Sequence, residues 1–148
     1  MFKHVLIPTD GSAPSGKAVK AGIRLAQTLG ACVTGFYAVE LPWPAQVYGA
    51  DTASGRRVLT EYARHATATG RKHLNAMHRI AKAAGVPFDS VISETAAPDK
   101  GIIDTARKLH CDAIVMASHS RRGLAAVFIG GVTRRVLLGS KVPVLVYR

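Results

Sequence analysis

Val5-Leu6-Ile7-Pro8-Thr9-Asp10-Gly11-Ser12 lies at the start of a chain of 148 residues and carries a strand, a turn and a helix cap in one stretch. Val5 to Ile7 is a short, continuous apolar run rich in branched residues, the pattern of a strand buried on both faces. Pro8 ends it. Thr9 to Ser12 is turn chemistry, and Ser12 or Ser15 can cap a following helix, with Pro14 tolerated in its first turn. Ala18, Ala21, Gly22, Leu25 and Leu29 then recur at helical spacing, with Lys17, Lys20 and Arg24 on other faces. Gly30 is placed to stop that helix.

The same alternation continues outward. Ala31 to Val39 reads as a second strand. Leu41 to Ser54 contains Pro42, Pro44, Tyr48 and the only tryptophan, Trp43, and reads as an aromatic loop. Gly55 to Ala84 has the apolar stripe of a long helix, with Gly70 a candidate bend and Arg57, Arg64 and Arg71 on another face. Phe88 to Ser93 reads as a third strand, Pro98 to Leu109 as a helix, and Ala113 to Ala117 as a fourth buried strand. A basic loop, Ser118 to Gly123, follows. Gly130-Gly131 opens a helix over Val132 to Leu138, Gly139 stops it, and Val142 to Tyr147 is the final strand. Short apolar strands joined by helical crossovers require parallel pairing with helices on both faces. The expected fold is one α/β domain over residues 1–148, a doubly wound parallel sheet of five strands.

Composition narrows the class. Hydrophobic residues make up 48% and charged residues 20%, which excludes a disordered chain. The two cysteines, Cys32 and Cys111, form no CxxC pair, which excludes a disulfide-stapled mini-protein and the cysteine-based zinc motifs. Both lie at or near strand starts and are expected to be buried. No apolar run approaches the roughly 18 residues of a membrane span. With free thiols and no signal-like segment, the expectation is a cytoplasmic protein. Twenty Lys plus Arg against nine Asp plus Glu give a net charge of +11. That excess attracts anions without choosing among nucleotides, nucleic acid and acidic surfaces.

Open parallel sheets bind ligands beyond the carboxyl ends of their strands. Two such ends carry suggestive chemistry: Pro8-Thr9-Asp10-Gly11, and Ala117 to Gly123 followed by Gly130-Gly131. Small residues admit an anion to backbone N–H groups, a helix start adds partial positive charge, and Arg121 and Arg122 add full charges. Neither the GxxxxGK[ST] loop nor a GxGxxG fingerprint is present.

Val5 to Ser12, the Met116 to Gly123 loop and the closing Val142-Pro143-Val144-Leu145-Val146 together resemble the universal stress protein family, over nearly the whole chain. The resemblance implies a Rossmann-like, adenine nucleotide alpha hydrolase-like sheet of five strands and a homodimer. One branch of that family binds ATP through G-x2-G-x9-G-[S/T] after strand four. Carried over, adenine and ribose contacts fall on Pro8, Thr9, Asp10, Val33 and Met116. The motif positions fall on Ala117, Ser120, Gly130 and Gly131, with Val132 just after. Only Gly130 matches outright. The spacing is intact and each replacement is small; Ser120 costs about 1 kcal/mol if its position needs left-handed backbone. Thr133 could supply the hydroxyl that Gly131 lacks.

The expected function is therefore a stress-response module binding ATP or a related adenine nucleotide, with Mg2+ accompanying the phosphates. The alternatives are a dimeric scaffold that has lost nucleotide binding and, third, weak polyanion binding; no motif supports nucleic-acid recognition. Asp10 reads as a ribose or phosphate-metal contact or as an Asx-turn. His119 has no nucleophile to serve, and His73 and His78, five apart, do not share a helix face. No placed general base or metal cluster argues for an efficient enzyme, although slow hydrolysis is compatible with the site. The final strand, if at an edge, is an unprotected apolar edge that a symmetric dimer would cover.

Overall fold

The computed structural model describes residues 1–40, 52–118 and 129–148. Trp43, Tyr48, His119, Ser120, Arg121 and Arg122 lie outside the described residues. The elements are β1 (His4–Pro8), α1 (Ala13–Leu29), β2 (Cys32–Glu40), α2 (Ala53–Ala83), β3 (Phe88–Thr95), α3 (Pro98–Lys108), β4 (Ala113–Ala117), α4 (Gly131–Gly139) and β5 (Val144–Tyr147). They form one sheet of order β3-β2-β1-β4-β5. Every pairing is parallel. After β1 the chain builds outward through β2 to β3, then returns to lay β4 on the other side of β1, so the order reverses between β1 and β4.

The strands are apolar on both sides because both faces are covered. Val5, Ile7, Val33 and Val115 point to one layer, where they meet Val19 and Ile23 of α1 and Leu74 and Met77 of α2. Leu6, Phe36, Ile114 and Met116 point to the other, against Ile102 and Ala106 of α3 and Val136 of α4. No helix among the described residues is long and apolar enough to cross a membrane.

Caps set the helix limits. Ser12 accepts from the Ser15 N–H at the start of α1, and Gly30, at φ 64°, closes it. Thr52 accepts from the Gly55 N–H, so α2 begins at Ala53 rather than Gly55. Gly70 does not end or divide α2, which runs unbroken through it. It is buried against Tyr37, whose ring a Cβ at that position would overlap. β5 starts at Val144, two residues later than the apolar run suggests. There the Ser140 hydroxyl donates to the Val142 carbonyl at 2.7 Å and accepts from its N–H at 3.1 Å, holding that segment in a turn. As expected, β5 occupies an edge, with Leu145 48% and Tyr147 37% exposed. Cys111 is buried, but Cys32 is only partly so, a correction to the expectation for both.

Candidate functional site

The β1 carboxyl end is a tight, hydrogen-bonded corner. The Thr9 N–H donates to the Phe36 carbonyl at 2.9 Å, carrying the ladder one residue past the strand. The Thr9 hydroxyl lies 2.7 Å from that of Ser15 and accepts from the Gly11 N–H at 3.2 Å. The Asp10 carboxylate accepts from the Ser12 N–H at 3.0 Å. This is the Asx-turn of the structural reading, and it coexists with the site reading, because Asp10 also lines the cavity described next. Gly11 has φ 79°, and a Cβ there would run into the His73 ring. That ring stacks on Tyr37 with centroids 5.9 Å apart.

Across the strand-order reversal, β4 ends at Ala117 and α4 begins at Gly131. The Thr133 hydroxyl, buried, donates to the Ala117 carbonyl at 3.0 Å and ties the two elements together. Its proton is engaged there, and Thr133 also lines the cavity described below. The N-cap, Gly130, has φ −57° and no side chain to cap the helix. The first N–H groups of α4 are therefore the donors that a helix start leaves without intrahelical partners. Ala117 does not take up a left-handed backbone, which among described non-glycine residues is confined to His110. A methyl group at that motif position is sterically tolerated.

Between these corners lies a cavity of about 1080 Å3. Pro8, Thr9 and Asp10 form one wall and Met116, Ala117, Gly130, Gly131, Val132 and Thr133 another. Residues more than a hundred positions apart thus converge on one space, of the size and position that open α/β sheets use for ligands. Val33 is not brought there. It pairs with Val5 in the amino half of the sheet and is 1% exposed in the core. In a parallel sheet only the carboxyl ends of the strands reach the cavity, so the β2 contribution comes from Phe36, Tyr37, Ala38 and Glu40.

Four further contributors were not signalled by any motif. Tyr62 of α2 lines the cavity with Tyr37, and Pro98 and Ile102 of α3 line it too, Ile102 in the same core layer as Phe36. Arg135 of α4 reaches the same space. Burial, and then the nearby Asp10, Tyr62 and Glu40, push the Tyr37 phenol above its ordinary value, so it stays a neutral hydrogen-bonding group at physiological pH. Among the described residues no group of three His, Cys, Asp or Glu side chains is placed to hold a metal by itself.

A doubly wound parallel sheet with its cavity at the reversal of strand order defines a Rossmann-like α/β protein. The universal stress protein family model matches residues 1–148, and the chain belongs to that family. It is similar to universal stress protein MJ0531 of Methanocaldococcus jannaschii, 28% identical over 148 residues, covering 100% of this chain and 83% of that protein. Among solved structures it is similar to the hypothetical protein MJ0577, with a TM-score of 0.81 and 23% identity over 99% of this chain and 95% of that one. A universal stress protein in complex with cAMP gives a TM-score of 0.72 at 23% identity, over 99% and 97% of the two chains. One from Archaeoglobus fulgidus in complex with dAMP gives 0.63 at 17%, over 100% and 98%.

Proposed function

We propose that the cavity at the β1–β4 reversal holds an adenine nucleotide and that the protein is a nucleotide-responsive stress module. The observation that carries this reading is the meeting of Pro8-Thr9-Asp10 with the glycine-opened start of α4, which has no side-chain cap among the described residues, around one cavity. The two ends suit the two ends of a nucleotide. Pro8 and Met116 offer apolar walls to a base, and Asp10 offers an acceptor to ribose hydroxyls. Gly130 and Gly131 bring no side chain between an incoming phosphate and the backbone donors, and the helix dipole favours its charge. Similar proteins in complex with cAMP and dAMP support the adenine assignment. The intact motif spacing supports ATP as the ligand. Mg2+ then arrives with the phosphates, within reach of Asp10, rather than in a protein-built site.

Isothermal titration with ATP, with and without Mg2+, tests this directly, alongside mass spectrometry of nucleotide carried through gentle purification. Binding at sub-millimolar concentration is expected, with Asp10→Ala weakening it at least tenfold. No heat at millimolar nucleotide would overturn the reading. The dimeric scaffold would then be favoured, and the committed Thr133 hydroxyl is the feature that supports it. In either case the proposed assembly is a homodimer through β5. Its edge position and the exposed Leu145 and Tyr147 support this, and a monomer by sedimentation at micromolar concentration would refute it.

A further inference from the structure

We propose that Arg135 grips the phosphate end of the ligand and that Asp99 is the positioning residue that holds it ready. The inference deepens the nucleotide reading and rests on it. Asp99 stands in the first turn of α3 and is 8% exposed. A carboxylate removed from water to that degree requires a partner, and Arg135 of α4 supplies one, with Nε 3.0 Å from Oδ1. The arginine side chain is 56% exposed, so the pair is layered: a buried acid behind, a guanidinium in front, and the cavity beyond.

The geometry points to what the front of that guanidinium does. It carries five N–H donors in one rigid plane. Asp99 engages Nε, on the inner edge. Nη1 lies 3.4 Å from the position that a Cβ on Gly131 would occupy, which sets the other edge over the first turn of α4. The backbone donors of that turn and the Nη groups thus face the same part of the cavity. Because Asp99 offsets much of its charge, Arg135 contributes directed donors more than bare charge. Lysine, a point charge without the planar fork, is not equivalent. The site therefore discriminates by phosphorylation: AMP and ATP gain the Arg135 contacts, and adenosine does not.

The test is calorimetric titration of the wild-type protein, Arg135→Gln, Arg135→Lys, Asp99→Asn and the Asp99→Asn/Arg135→Gln double variant with ATP, AMP and adenosine. The double variant replaces the ion pair with neutral groups of similar size, so it keeps the test alive if Arg135→Gln alone leaves a buried charge and fails to fold. The double variant should lose ten- to a hundredfold in ATP and AMP affinity and change less than twofold toward adenosine. Arg135→Lys should lose nearly as much. Asp99→Asn should lose less, and should have no further effect once Arg135 is gone, as expected of a residue acting through another. Unchanged nucleotide affinity in the double variant, or an equal loss toward adenosine, would overturn the proposal. Wild-type protein that binds adenosine but gains nothing from its phosphates would overturn it with the nucleotide cavity intact. Failure to bind any of the three removes the nucleotide reading itself, and this inference with it.

Discussion

The two ends of the sheet use the same strands in opposite ways. At the amino end the chain satisfies itself. The Lys3 and His4 N–H groups donate to the Asp112 carboxylate at 2.8 and 3.2 Å, and the Asp112 N–H donates back to the His4 carbonyl at 2.9 Å. His4 Nε2 lies 2.8 Å from the Thr34 hydroxyl, and Cys111 is 3% exposed beneath. At the carboxyl end the β1 corner is equally well bonded, but α4 starts without a side-chain cap among the described residues and a cavity stands open before it. One end is closed by its own polar groups, and the other keeps donors in reserve. A set of substitutions should separate the two: changes at the amino end should move stability alone, and changes around the cavity should move binding, with or without stability.

The largest effect is expected where the cavity end is most constrained. Gly11→Ala forces a left-handed φ on a residue with a Cβ and obliges the His73 ring to leave the corner and its stack on Tyr37, so urea unfolding should show a loss of about 2 kcal/mol. A loss below about 1 kcal/mol would mean the Asp10 corner is far more pliant than its hydrogen bonds imply.

At the opposite end Cys111 gives a test that depends on pH. Burial first, then Cys32 and Asp112, push its thiol from 9.0 up to about 11. The folded state thus keeps a proton that the unfolded chain gives up. Stability from this group is whole below pH 9 and falls as pH rises through about 11. Alkylation of Cys111 at pH 8 should be at least about a hundredfold slower in the folded protein than in denaturant. Nucleotide should not alter that protection.

Next in size is Asp112→Ala, which leaves the Lys3 and His4 N–H groups to water. A stability loss of about 1–2 kcal/mol is expected, with nucleotide affinity unchanged. A shift in affinity would show that the two ends are coupled and would break the comparison.

The contrast between the ends also explains which features were legible in the sequence. Val5-Leu6-Ile7 and Ala113 to Ala117 revealed buried parallel strands, because burial on both faces leaves nothing but apolar residues. The Pro8-Thr9-Asp10 and Gly130-Gly131 walls were legible because turn and glycine chemistry are local. That Val33 lies away from the cavity is not legible, because β2 is nine residues long and its sequence does not show which end meets the cavity; pairing does, since Val33 sits beside Val5 and, of β2, only Phe36, Tyr37, Ala38 and Glu40, toward the carboxyl end, line the space. Thr133 looked like a spare hydroxyl because its partner, the Ala117 carbonyl, is sixteen residues away. Arg135 was illegible for the same reason: its significance lies in Asp99, on another helix. What the sequence does not show at Gly70 is its neighbour: the Tyr37 ring packs where a Cβ would stand.

Smaller effects sharpen the comparison at the cavity. Thr133→Val keeps the shape and removes the hydroxyl that joins β4 to α4. A stability loss of about 1 kcal/mol by thermal unfolding is expected, together with a few-fold weaker nucleotide binding as the start of α4 loosens. Loss of stability with no change in affinity would confine Thr133 to holding the fold.

Gly131→Ser should have the smallest effect and is the most discriminating about how the reserve donors work. Gly131 is not among the glycines with positive φ, and among the described residues its added Cβ would meet only Arg135 Nη1, at an ordinary 3.4 Å. Stability should therefore change by no more than about 0.5 kcal/mol. The new hydroxyl would stand at the first turn of α4 beside the guanidinium edge. If both serve the same phosphate, ATP affinity should rise about three- to tenfold, the worth of one added hydrogen bond. If the serine oxygen instead accepts from Arg135, the arginine is drawn away from the ligand and affinity should fall. A rise shows that the cavity has room for one more donor than this chain supplies. A fall shows that Arg135 already fills the place the missing hydroxyl would take.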